Sequence, residues 1–164
     1  HRVHRRQRQM CIRDSVGDTV FYKKVKVNVR DDSGKMSLDG MKYIKNIGDI
    51  QLAGSWLMSG IERRGEMRMR DVNRPRKTMK MLAGGRFQWI AYDISKKGFY
   101  GTGGGTYTAE RGNYIENIEF FSRDSNTVGK SLGFDFEIKD GDWHHRGFSS
   151  KGDPKYEIWT QRKQ

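Results

Sequence analysis

The chain has 164 residues, with 32 Lys+Arg against 20 Asp+Glu (formal charge +12) and 34% hydrophobic residues. This length holds one domain and part of a second, and no apolar run approaches the ~20 residues of a membrane-spanning helix. Low hydropathy alone would suggest disorder, but an aromatic content of 12% and clearly alternating segments predict a folded β protein.

The chain opens HRVHRRQRQMCIRDS. Back-translation of Met10–Ser15 resembles the end of a sequencing-library transposon, so residues 1–15 are expected to be adapter-derived. The competing reading is a basic arm for nucleic acid. Setting the segment aside removes Cys11, the only cysteine, and with it disulfide and thiol chemistry. It also removes five Arg and one Asp, leaving 27 basic and 19 acidic residues, a charge of +8. On this reading the native N-terminus lies upstream, a signal peptide is unobservable, and localisation stays open.

Residues 20–29 alternate Phe21, Val25, Val27 and Val29 against Lys24 and Lys26. They predict a strand ended by the turn Asp31-Asp32-Ser33-Gly34, which could close a truncated upstream region. Residues 35–51, with Met36, Leu38, Met41, Ile44 and Ile47, suggest a connector or short helix, so 16–49 is expected to be strand plus connector. From residue 50 to 164 the pattern becomes regular. Strands are predicted at 52–62, 77–83, 86–94, 99–109, 114–123, 131–139, 142–149 and 155–163. Gly84-Gly85 and Asp140-Gly141 suit two-residue hairpins, whose central residues need positive φ. Short strands at regular spacing, without long crossovers, predict an all-β fold: an eight-stranded antiparallel up-and-down barrel.

Gly54-Ser55-Trp56 opens the first of these strands and Arg162 follows the last, in YEIWTQR. Both resemble the lipocalin (calycin) signature, and the block from LAGSW through GTGGGTYT to KGDPKYEIW resembles bacterial lipocalin-like proteins described as membrane or secreted. The resemblance implies a barrel plugged by Trp56, with Gly54 and Arg162 structural and Arg162 packed across the Trp. It also implies a ligand cavity and a secreted or periplasmic location, and it names no ligand. The chain departs from long-chain lipocalins in lacking disulfide cysteines and a clear helix after the barrel.

Period-two alternation from Trp56 places Met58 inward. The same logic favours Phe87, Trp89 and Ala91, then Tyr107, Ile118 and Phe120, then Leu132, Phe134, Phe136 and Ile138, then Ile158. The strand at 114–123 is apolar on both faces, so its register is open. An eight-stranded barrel is wide enough to be filled by such side chains or to hold one small ligand.

Several motifs fail on inspection. Gly101–Thr106 lacks the third glycine and the helix of a dinucleotide fingerprint, and glycines within a strand mark bends or close approaches. Gly129-Lys130-Ser131 lacks the leading glycine of a phosphate loop. His144 and His145 face opposite sides of a strand and cannot readily chelate one metal. Glu116, Glu119, Asp135 and Glu137 lie on neighbouring strands, but their convergence is not legible. The strongest charge feature is residues 63–80, with six Arg and two Lys against Glu66 and Asp71. The lipocalin resemblance implies that it is the first loop and the start of the second strand, beside the open mouth, where it could steer an anionic ligand inward or touch anionic lipid or nucleic acid. It carries no interleaved aromatics, which argues against single-strand nucleic-acid binding.

These readings predict a non-enzymatic barrel for a small apolar or amphipathic, and by its charge anionic, ligand. The expected lining is Trp56, Met58, Phe87, Trp89, Tyr107, Ile118, Phe120, Phe134 and Phe136, with Arg68, Arg70, Arg74 and Arg76 at the mouth. No metal or cofactor is expected, and oligomeric state is left open. Two alternatives stand beside it: a barrel isomerase or hydrolase using His145 or Glu116 beside Tyr107, and a structural or interaction module.

Overall fold

A computed structural model describes residues 9–16, 19–29, 35–38, 40–44 and 51–163, in two compact units, His1–Asn46 and Ile47–Gln164. In the first unit, β1 (Gln9–Val16), β2 (Thr19–Val29), β3 (Lys35–Leu38) and β4 (Met41–Ile44) form an antiparallel sheet in chain order. The strand expected at 20–29 is β2. Residues 35–44 are a hairpin turned at Gly40, where the apolar spacing suggests a connector or helix. That spacing fits either period, and pairing with β2 (Val27 opposite Leu38) decides it. The turn at 31–34, the segment 45–50 and the side chains of β2 lie outside the described residues.

The second unit contains β5 (Gly54–Arg63), β6 (Glu66–Met69), β7 (Arg76–Ala83), β8 (Arg86–Asp93), β9 (Gly98–Glu110), β10 (Asn113–Phe121), β11 (Ser131–Lys139), β12 (Asp142–Phe148) and β13 (Pro154–Gln161). Each pairs antiparallel with its chain neighbour, except that β6 and β7 both pair with β5, and β13 returns to β5 to close the ring. The result is the all-β, eight-stranded, up-and-down barrel that the sequence predicts. β6 and β7 lie end to end along one edge of β5: Met69 pairs with Gly60 and Met79 with Leu57. Residues 70–75 therefore leave the sheet in the middle of what would be one strand.

The turns follow from local chemistry. Gly84 and Gly85 (φ 56 and 75) and Asp140 and Gly141 (φ 54 and 84) make the expected two-residue hairpins, whose positive φ matches the strand twist. These turns, with Arg111-Gly112, mark the lower end, where β5 begins. The upper end carries Arg64-Gly65 and the segments 70–75, 94–97, 122–130 and 149–153. Gly101–Gly105 lie within β9, as expected of strand glycines. A side chain at Gly105 would collide with the Asn117 carbonyl, and one at Gly103 would reach within 2.6 Å of Trp89 Nε1.

Pairing fixes which side chains face inward: Trp56, Met58, Lys80, Leu82, Phe87, Trp89, Ala91, Tyr107, Ala109, Tyr114, Glu116, Ile118, Leu132, Phe134, Phe136, Trp143, His145, Glu157 and Trp159. Two expectations are corrected, those for Phe120 and Ile158. A bulge between Ile118 and Phe120 turns Phe121 inward and leaves Phe120 outside, 41% exposed. Ile138 shares the inward face of β11, as expected, and sits at the lower rim, 41% exposed. Ile158 faces out, because Trp159 and Glu157 pair with inward Trp143 and His145. It is buried there against Gly60 and Met69.

The two kinds of glycine give a matched test. Gly105→Ala is expected to cost at least ~3 kcal/mol through overpacking. Gly133→Ala in β11, where nothing lies within 4 Å, is expected to stay within about 1 kcal/mol of the parent. Urea unfolding of the two variants checks this.

Candidate functional site

The lower half of the barrel is solid. Trp56, Leu82, Phe87, Tyr107, Ala109, Tyr114, Ile118, Phe134, Phe136, Trp143 and Trp159 form one buried cluster with Leu52. Trp56 is buried near the lower end, and its indole donates to the Leu52 carbonyl at 2.9 Å. Trp143 meets Trp56 edge-on and stacks with Trp159. Arg162 binds back through its backbone N–H to Ser55 O, and its guanidinium reaches Met79 Sδ. Seven of the nine expected lining residues are thus accounted for: Trp56, Phe87, Tyr107, Ile118, Phe134 and Phe136 pack against one another, and Phe120 lies outside. Met58 and Trp89 remain partly open, joined by Phe121 and Leu132.

Inside this aromatic shell sits a cluster of charge. Lys80 Nζ, on β7, lies 2.6 Å from Glu116 Oε1 on β10. The same ammonium lies 5.0 Å from the ring centroids of both Trp143 and Trp159, and 5.4 Å and 5.7 Å from those of Tyr114 and Phe87. On the adjoining wall His145 Nδ1 lies 3.3 Å from Glu157 Oε2, and Lys155 Nζ lies 3.2 Å from Glu157 Oε1. Only Lys155 reaches solvent appreciably: its side chain is 32% exposed, against 0–7% for the other four.

Burial pushes the His145 pKa down to about 4, with the Lys80 ammonium adding to it against the opposing pull of Glu157. His145 is therefore neutral at physiological pH. Burial would raise both carboxyls, but Lys80 beside Glu116, and Lys155 with His145 beside Glu157, hold them below the usual range. Burial would lower Lys155, and Glu157 and Glu116 raise it instead. Burial, with the Glu116 charge beside it, raises Tyr114. A carboxylate only accepts, so the proton of neutral His145 sits on Nδ1, facing Glu157. Nε2 is then a bare acceptor, buried and without a hydrogen-bond partner among the described residues.

Above the cluster the interrupted strand delivers the basic segment. Arg70 is half-buried and donates its backbone N–H to Ser59 O. Its pKa is lowered by burial and then by repulsion from Arg74, Arg63 and Arg76, which places four guanidiniums near one another. Glu157 also acts on Arg70, and Arg63 on Lys155, so this rim is electrostatically continuous with the interior. Among the described residues none of these arginines makes an ion pair. Arg76 stacks over Tyr100 at 3.3 Å, and Arg68 projects from β6, exposed.

Of the four carboxylates singled out in the sequence, only Glu116 enters the barrel. Glu119 pairs with Arg86 outside at 2.9 Å, and Asp135 and Glu137 are exposed. His144 faces away from His145, with Nδ1 2.8 Å from the Tyr156 hydroxyl. Tyr107 packs beside Tyr114 in the core. Lys80, Lys155, Glu157 and Arg63 were not singled out by sequence. The usable signal was the parity of β13, in which Glu157 shares a face with Trp159. Two surface depressions, of about 310 and 280 Å³, lie largely on the outer sheet face around Ile115 and Phe148 and around Met81 and Phe120, away from the charges. No helix among the described residues is long and apolar enough to cross a membrane.

A family model described as domain of unknown function DUF4488 matches residues 51–164. A lipocalin-like protein from Bacteroides uniformis ATCC 8492, known from a crystal structure, is similar at 14% sequence identity with a TM-score of 0.48. The likeness covers 68% of this chain and 98% of that one. No curated protein matches the sequence.

Two measurements test the cluster. Between pH 6.5 and about 4 the unfolded chain protonates at position 145 and the native chain does not, so stability falls as pH is lowered through that window. Glu116 and Glu157, with lowered pKa values, add their loss only below the unfolded carboxyl value of 4.5. The interval from 6.5 to 4.5 therefore reports His145, with about 2–3 kcal/mol in total, and denaturant unfolding of His145→Phe should show that slope removed. Lys80→Met should cost about 3–5 kcal/mol by stranding Glu116, and adding Glu116→Leu should recover most of it.

Proposed function

We propose that this chain, which belongs to the family described as domain of unknown function DUF4488, is a binding barrel that takes a small amphipathic anion through its upper end. The acidic group would sit among Arg63, Arg70, Arg74 and Lys155. The apolar part would lie on Met58, Trp89, Phe121 and Leu132, the inward hydrophobics left partly open above the packed core. The observation that carries this reading is the basic segment at the upper end, where Arg63, Arg70 and Arg74 make no ion pair among the described residues and Arg70 is half-buried. Like charges held together cost stability unless an anion relieves them. The buried charges beneath point the same way, because buried ion pairs are weak stabilisers compared with apolar packing of equal volume.

A second reading has one observation in its favour. His145, neutral and oriented through Nδ1 by Glu157, has the arrangement of a general base and its positioning carboxylate. It requires turnover that follows the ionisation of His145 and disappears in His145→Ala. Glu116, held ionised by Lys80, suits an electrostatic role better than that of a proton donor.

The binding reading is tested with decanoate and the uncharged decanol as probes, followed by quenching of tryptophan fluorescence. Arg70→Glu combined with Arg74→Glu should weaken decanoate by at least about tenfold and leave decanol unchanged. Equal effects on the two probes, or no decanoate binding by the parent protein, would remove the anion claim.

A further inference from the structure

The unsatisfied acceptor in the barrel wall defines the ligand more closely than the arginine rim does. We propose, resting on the binding reading above, that the ligand is a hydroxy acid whose hydroxyl donates a hydrogen bond to His145 Nε2. His145 is fully buried, points into the barrel from β12, and has its other nitrogen committed to Glu157 at 3.3 Å. Its Nε2 has no partner among the described residues. Tyr114 Oη and the indole nitrogens of Trp143 and Trp159 are also buried without a partner among the described residues, but each of these can donate, whereas Nε2 of this tautomer can only accept and so calls for a donor.

The surroundings select which donor that is. Phe134, Tyr114 and Trp143 enclose the imidazole, with ring centroids 4.0, 5.5 and 5.2 Å away. The charged groups facing it are Lys80 from β7, Glu116 from β10, and Lys155 and Glu157 from β13. Both carboxylates are already paired, with Lys80 and with Lys155. With Arg63 and Arg70 above, the free potential is positive, so an ammonium donor is repelled and a neutral hydroxyl is accepted. Lys155 is the gate. It is the cluster member that reaches solvent, it holds Glu157, and its ammonium lies 5.5 Å above the Phe134 ring that covers His145. An acidic group drawn to Lys155 brings a hydroxyl on a nearby carbon within reach of the imidazole.

The test compares decanoate with its 2-, 3- and 4-hydroxy derivatives at neutral pH. At least one hydroxy isomer should bind about tenfold more tightly than decanoate, and in His145→Phe the ratio should fall to about one. Nitrogen-15 NMR of the parent protein supplies a readout that does not depend on the variant folding. The His145 Nε2 resonance, unprotonated in the free protein, should move on adding the preferred hydroxy acid and stay in place with decanoate. If decanoate binds but no isomer is preferred and the resonance does not move, the hydroxy-acid assignment is overturned and the anion-binding reading stands. If decanoate itself does not bind, the reading beneath it falls.

Discussion

A lysine ammonium held 2.6 Å from a carboxylate, with four aromatic rings around it, is the contact on which the interior of this barrel is arranged. Lys80 and Glu116 come from β7 and β10, which do not pair, so the bridge spans the lumen. Two charges without water are tolerable only when each faces the other and polarisable rings replace part of the lost hydration. Trp143 and Trp159 supply that environment, and Trp56 packs against Trp143 below them. This pair sits within the packed aromatic cluster, with Lys155, Glu157 and His145 beside it.

The charged upper end follows from two breaks in regular pairing. A residue is added to β5 opposite the step from Trp159 to Ile158, which keeps Trp56 and Met58 inward below and brings Ile61 level with Glu157 above. On the other edge, the interruption between β6 and β7 lets 70–75 leave the sheet and carry Arg70 and Arg74 over the rim. Each break weakens local hydrogen bonding, and each sets charge beside Lys155 and Glu157. Bulges next to sites that need a re-aimed side chain are a common device in β-sheets.

Much of the fold was legible because it depends on short-range chemistry. Strand positions came from alternation, and the tight turns from Gly84-Gly85 and Asp140-Gly141, residue types that accept positive φ. Gly101–Gly105 could be recognised as strand glycines because a strand, not a helix, follows them. The failures share one cause. Phe120 and Ile158 were placed inward on hydrophobicity, but a one-residue bulge or a phase error exchanges the two faces of a strand. Reading Ile158 inward forced Glu157 outward, which hid the carboxylate that orients His145.

The sequence by itself determined the class of fold, the number of barrel strands and the localisation of positive charge in one segment. Each is a property of neighbours along the chain. Only the tertiary structure decided that Lys80 meets Glu116, that Glu157 turns toward His145, and that four arginines crowd at one rim. Those contacts join residues far apart in sequence, and their partners are set by barrel closure and by bulge position. A local pattern carries neither.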